Sequence, residues 1–363
     1  MHKTTNYFFS ADLLRAIAII LVVIIHVFSE YVNSPKNFLD SSWWIANFIN
    51  SASRMAVPLF VMLSGMLILH QDKSYTITTF LKKRVSKIGL PLLIWPILYF
   101  LWRLWLNNKE FSFSSVMHDY LSLSIYYHLY YLYIIAGLYL LTPLFKTFLS
   151  AATKETARYI IILTFLFSLS ISLMKFFAHI GPNFATIFTV FLPYIPYYLA
   201  GDYLRHIRLS KVQTYWALGG LISLSILTAL GTYWHMESVG WNSINTVSQY
   251  KFDRYFYDYL SITVIPMTIL GYLLIQTLSE KTLLLKKLFP HLVIRQLAVS
   301  SFGIFLIHPF LLEFSNRILK FSSSTIPVPV WIFLFIKTIT ILLISYLIVT
   351  LCRKIPVIKL IFG

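Results

Sequence analysis

The run ADLLRAIAIILVVIIHVFSEY, from Ala11 to Tyr31, decides how the rest of the chain is read. A helix needs roughly 20 residues to cross a hydrocarbon core of about 30 Å, and this run is long enough. A secretory leader would carry a shorter apolar stretch and a small-residue cleavage site, and the run shows neither, so it is expected to be a retained span. Lipid offers the backbone no hydrogen-bond partners, which makes the span a helix. Yet Arg15 and His26 lie inside it, flanked by Asp12 and Glu30.

The same reading extends outward. Hydrophobic residues make up 58% of the 363 positions and charged residues 12%, a balance that excludes an ordinary soluble domain. Apolar runs place spans near 11–31, 43–69, 87–106, 125–146, 159–177, 186–204, 212–234, 257–278, 299–319 and 328–352. The expected fold is an all-α, polytopic membrane helical bundle of about ten transmembrane helices, with residues 1–363 forming a single domain. Its connections are short, the longest running from Tyr233 to Phe256, and no internal repeat or soluble appendage is evident.

The net charge of +17 would suggest nucleic acid in a soluble protein; here the partner it implies is membrane lipid, with no nucleic acid. Alternate connections hold nineteen Lys and Arg residues on one side and seven on the other, and four more lie within spans. The positive-inside rule then sets both termini in the cytoplasm. Trp43, Trp44, Trp102 and Trp105 gather at outer span ends, where amphipathic rings suit the interface. Cys352 is the only cysteine, so no intramolecular disulfide forms, and no Cys/His metal pattern is present.

Ionisable groups within a span face the bundle interior and mark function by default. Arg15 and His26 are eleven residues apart, which returns a helix to within about 20° of its starting direction after a rise of about 16.5 Å. They therefore share one face at two depths, Arg15 toward the cytoplasm and His26 toward the outer half. A functional face would bind an anionic ligand at Arg15 and take a proton at His26, with Glu30 orienting the imidazole or raising its basicity. The alternative is that Arg15 snorkels to the headgroups and His26 bonds a neighbouring helix.

Arg54, inside the second span, reads either as a site residue or as half of an interhelical ion pair. Arg84 and Lys87 open the third span on the inner side, as anion ligands or as an ordinary positive flank. His308 lies mid-span with Glu313 farther outward, and Pro309 would free backbone groups for the imidazole. His128, at the outer start of the fourth span, is expected to be interfacial if it has no role in a site.

Four segments carry a family resemblance. They are Arg15 and His26 with ten residues between; Arg54-Met-Ala-Val-Pro-Leu-Phe-Val-Met-Leu-Ser-Gly; Tyr127-His-Leu-Tyr-Tyr-Leu-Tyr-Ile-Ile-Ala-Gly-Leu-Tyr-Leu-Leu-Thr-Pro; and Ser301-Phe-Gly-Ile-Phe-Leu-Ile-His-Pro. In that order they resemble the acyltransferase-3 family of membrane O-acyltransferases, most of all stand-alone members that acetylate enterobacterial common antigen. Met66, Phe305 and Tyr130-Tyr131 depart from common family choices.

The resemblance implies a multi-pass protein of a bacterial cytoplasmic (inner) membrane. It would move an acyl group, acetyl by default, from cytoplasmic acyl-CoA to a hydroxyl of a cell-surface or lipid-linked glycan, without a metal. In that scheme His26 is the general base, with Glu30 and Arg54 also catalytic; Arg15, Arg84 and Lys87 hold the donor's phosphates, and His308, Glu313 and His128 support the site. A separate polysaccharide-assembly partner is compatible with it. The rival readings are a transporter or flippase of a glycan or lipid-linked sugar, and a non-catalytic subunit of polysaccharide export.

Overall fold

The computed structural model of the protein describes residues 3–69, 76–107, 113–178, 186–241, 255–281, 291–321 and 328–362. Lys73, Lys109, Lys251, Arg254, Lys286 and Lys287, all used to orient the chain, lie outside them, as do residues 242–254 of the long connection. The described residues form fourteen α-helices: α1 (Lys3–Val32), α2 (Ser41–Ser53), α3 (Ala56–Ile68), α4 (Ile77–Arg84), α5 (Leu90–Asn107), α6 (Phe113–Leu121), α7 (Tyr130–Ala151), α8 (Lys154–Ala178), α9 (Ile195–Tyr203), α10 (Lys211–Ser238), α11 (Val264–Lys281), α12 (His291–Arg317), α13 (Val330–Cys352) and α14 (Pro356–Phe362).

Eight helical stretches among the described residues are long and apolar enough to cross a membrane, and the chain is an all-α, multi-pass bundle. Two of the eight are interrupted, each next to a proline. Pro58 has no N–H for the carbonyl of Arg54, and the expected second span breaks at Arg54–Met55 into α2 and α3. Pro91 likewise leaves the Lys87 carbonyl without its donor, and a π-helical turn, Val85–Gly89, joins α4 to α5. The third span therefore begins at Ile77, ten residues before the expected start, and Arg84 and Lys87 sit at the widened turn rather than at a helix end.

The expected spans at 186–204 and 257–278 appear as the shorter helices α9 and α11, each preceded by turns and a 3-10 helix. Pro193 and Pro196 limit α9 at its start. Ser261 Oγ accepts from the Val264 N–H (3.2 Å) and caps α11. The fourth span also starts late: residues 122–129 are turns, with Leu123 in the left-handed region at φ 59°, and the helix begins at Tyr130 instead of 125.

α1 is the axis of the bundle, packed against α2, α3, α11, α12 and α13. Phe9 stacks on His291 with ring centroids 5.6 Å apart, so α1 and α12 start at the same end and run parallel. That end is rich in cations. Asp12 lies among Arg15, His291 and Arg295, Lys87 lies among Arg15, Lys83 and Arg84, and Arg353 donates to the Val299 carbonyl (2.9 Å).

α3 and α9 cross almost backbone to backbone through Gly65 and Gly201. A Cβ on Gly65 would fall 1.8 Å from the Tyr198 carbonyl oxygen, and one on Gly201 would fall 1.9 Å from that of Met62. Neither obstacle is a side chain that can swing aside, and small residues at such crossings let helices approach in lipid. Gly201→Ala is expected to destabilise the fold by about 1–3 kcal/mol. Thermal unfolding in detergent checks this, with Gly219→Ala, whose Cβ meets nothing within 4 Å inside a helix, expected to keep or slightly raise the midpoint.

Candidate active site

At the cation-rich end a cavity of about 540 Å³ opens between α1, α3, the π turn, α7 and α12. Arg15, Arg84 and Lys87, which the chain carries on three different turns of two spans, all line it. Arg15 is 3.8 Å from Asp12, which leaves most of its donors uncommitted. The Arg84 guanidinium lies over the rings of Phe80 (5.2 Å) and Tyr139 (5.4 Å), and its Nε is buried without a hydrogen bond. Ser64 stands within hydrogen-bond reach of the Tyr131 and Tyr139 hydroxyls deeper in. The gradient runs from cations at the mouth to aromatic rings inside.

The cavity ends at Phe305 and Tyr131, whose rings meet at 5.1 Å. On the far side of Phe305 lie three histidines, two from helices α1 and α12 and one from the turn before α7. His128 packs edge-on to Phe305 at 5.2 Å, His308 is 5.9 Å from His128, and His26 is 5.1 Å from His308. Tyr127 covers the other side of His26 at 4.8 Å. Among the described residues no three His, Cys, Asp or Glu side chains are arranged to hold one metal ion.

The three imidazoles differ in their bonding. His308 is fully buried, and its Nδ1 lies 2.9 Å from the Ile304 carbonyl oxygen. A carbonyl only accepts, so Nδ1 carries the proton and Nε2 is the basic nitrogen, buried without a partner. His128 is 1% exposed, with neither ring nitrogen in a hydrogen bond of ordinary geometry. That overturns its reading as an interfacial residue. His26 is half-buried and reached only by neighbouring rings, with neither nitrogen bonded among the described residues.

Three supports surround the cluster. Arg103 Nη1 donates to the carbonyls of Ser124 (3.2 Å) and Ile125 (2.9 Å) and to Asp119 (3.1 Å), which holds the strained turn that presents Tyr127 and His128. Glu313 accepts from the Tyr126 hydroxyl (2.5 Å) and Trp102 Nε1 (3.0 Å) and pairs with Arg317 at 3.0 Å, fixing the next residue of that turn. Arg54 donates to Ser29 Oγ (3.2 Å), which also accepts from Asn50, and its guanidinium lies 3.9 Å from the Tyr257 ring centroid. Ser29 is one turn beyond His26, so Arg54 stands at the histidine end of the site, and among the described residues it forms no ion pair.

Glu30 does not orient His26. Its carboxylate accepts from Asn316 Nδ2 (2.6 Å) and pairs with Lys337 at 3.2 Å, and Lys337 also bonds Asn316. Lys337 is 5% exposed, so this cluster ties α1, α12 and α13 together with a buried cation at its centre. Tyr127, Phe305, Tyr131, Arg103 and Lys337 were not among the expected site residues. Arg103 and Lys337 were visible as cations inside spans, but their partners were not.

The Acyl_transf_3 family model, described as an acyltransferase domain, matches residues 8–350. No curated protein and no solved structure matches the chain.

Among the described residues, Arg103 is the side chain that bonds both carbonyls of the turn at Ser124 and Ile125. Arg103→Ala is expected to cost about 1–3 kcal/mol by leaving them unpaired. Hydrogen–deuterium exchange should show faster amide exchange across residues 119–129, with α3 and α9 protected as in the wild type.

Proposed function

The chain belongs to the acyltransferase-3 family, and from that premise we propose that it is an acyl-CoA-dependent O-acyltransferase of a bacterial cytoplasmic membrane. It moves acetyl from the cytoplasmic donor to a hydroxyl of a cell-surface or lipid-linked glycan. One arrangement carries this reading. Three cations line a cavity that ends at an aromatic partition, and an unbonded histidine lies beyond the partition on the same face of the same helix as the first cation.

The chemistry follows from the two ends. The donor's phosphates meet Arg15, Arg84 and Lys87, where guanidinium and ammonium groups supply charge-assisted hydrogen bonds. The pantetheine arm runs along the cavity toward Phe305 and carries the thioester toward His26. The acceptor oxygen attacks the thioester carbonyl while His26 takes the hydroxyl proton. A C–O bond forms, the C–S bond breaks, and the proton passes from His26 to the departing CoA sulfur. The oxyanion formed in between is stabilised by the positive charge of Arg54, which lies close enough to act on the His26 ring.

His308 and His128 hold their neighbour in place through ring contacts, and Glu313 holds the turn that carries Tyr127. Cys352, at the end of α13, is not among the residues lining the cavity, which supports direct transfer without an acyl-cysteine intermediate.

The test is transfer from labelled acetyl-CoA to a glycan acceptor by the purified protein. His26→Ala is expected to lower kcat by about 10²–10⁴-fold, the usual contribution of a general base, with donor affinity retained. Arg15→Ala is expected to weaken donor binding by roughly ten- to a hundredfold, the loss of a charge-assisted contact, with a smaller change in kcat. Wild-type turnover by a folded His26→Ala protein overturns the assignment of the base.

A further inference from the structure

The donor cavity and the histidine cluster are adjacent but not continuous. Phe305 is 4% exposed and belongs to both: one side of its ring closes the cavity, and the other meets His128 at 5.2 Å and His308 at 6.2 Å. Tyr131 completes the barrier, 5.1 Å from Phe305 and 6.0 Å from Phe60 on the opposite wall. An acyl group that reaches His26 has to pass or displace this ring, and whatever extends beyond the thioester carbonyl has to fit against it.

The two walls differ in how far they can yield. Tyr131 packs on Phe60 of the opposite wall, with the Ser64 side chain near its hydroxyl. Phe305 stands on a compliant turn. Pro309 supplies no N–H to the Phe305 carbonyl, and Gly303, two residues before Phe305, sits where a Cβ would fall 2.6 Å from Val349. The helix is therefore pinned at Gly303 and loosened just after it, at the level of the Phe305 ring.

Resting on the acyl-CoA reading above, we propose that Phe305 is the specificity-determining residue for acyl length, its ring occupying the space that a longer chain would need beside the histidine cluster. A two-carbon acyl group passes with a small rotation of the ring. Each further methylene competes with the ring for the same apolar volume. In a hydrophobic pocket one methylene changes relative rates by roughly ten- to two-hundredfold.

The experiment measures kcat/KM for acetyl-, butyryl- and octanoyl-CoA with the wild type, Phe305→Leu and Phe305→Ala. The ratio of octanoyl to acetyl is expected to rise at least tenfold in Phe305→Ala and by an intermediate amount in Phe305→Leu. Where a variant transfers nothing, equilibrium binding of octanoyl- relative to acetyl-CoA reads the same ratio. An unchanged chain-length profile in both variants, alongside an active wild type, overturns the role of Phe305 alone. Absence of transfer and of binding from every acyl-CoA in the wild type overturns instead the reading on which it rests.

Discussion

A bundle in lipid has no cheap place for a charge, and the polar face of α1 sets the packing of everything around it. Arg15, His26 and Glu30 each cost several kcal/mol if turned to hydrocarbon, so the face must be covered by protein along its length. Five helices do this. α12 runs parallel beside it and supplies His308 at the depth of His26; α13 brings Lys337 to Glu30; α2 brings Arg54 to Ser29; α3 and α11 close the remainder. His26, Glu30 and Ser29 are each met by a group from a different neighbour, while Arg15 pairs with Asp12 on α1 itself. Helix order around the axis therefore follows from charge and hydrogen bonding as much as from apolar area.

Prolines then place the irregular backbone where polar side chains can use it. Pro58 breaks the second span at Arg54, Pro91 widens the third at Arg84 and Lys87, and Pro309 loosens α12 between Phe305 and the residues beyond His308. In hydrocarbon a freed carbonyl is tolerated only where protein or a lined cavity satisfies it. His308 donates from Nδ1 to the Ile304 carbonyl, in the same turn as the Phe305 carbonyl that Pro309 frees.

What was legible in the chain was local. The shared face of Arg15 and His26 follows from helical periodicity alone, and the eight long helices follow from apolar runs. The gathering of Arg84 and Lys87 with Arg15 required only that they lie on the same side of the membrane. The burial of His128 and the partners of Glu30 could not be read from the chain, because their environments are made at long range. The turn that buries His128 is held by Arg103 from 21 and 22 residues away and by Glu313 from 187 residues away; Glu30 finds partners 286 and 307 residues away. No spacing rule reaches so far. The shortened α9 is a different kind of miss, since Pro193 and Pro196 announced it and hydropathy outweighed them.

The two ends of the site are built to opposite mechanical standards, as the acyl-CoA donor proposed above would require. A nucleotide's charges are best held near water, where ions cost little to desolvate, by side chains free to adjust; Arg15 is 31% exposed and its pairing with Asp12 is loose. Acyl transfer needs the reverse: a dry place in which the oxyanion's partners do not reorganise and their field is weakly screened. His128 and His308 are almost wholly buried, and Tyr126, Tyr127 and Phe305 interlock around them. On the acyl-CoA reading proposed above, a flexible pantetheine arm would let one substrate satisfy both demands, with its charge left at the surface and its reactive carbon carried about 16.5 Å up the face of α1.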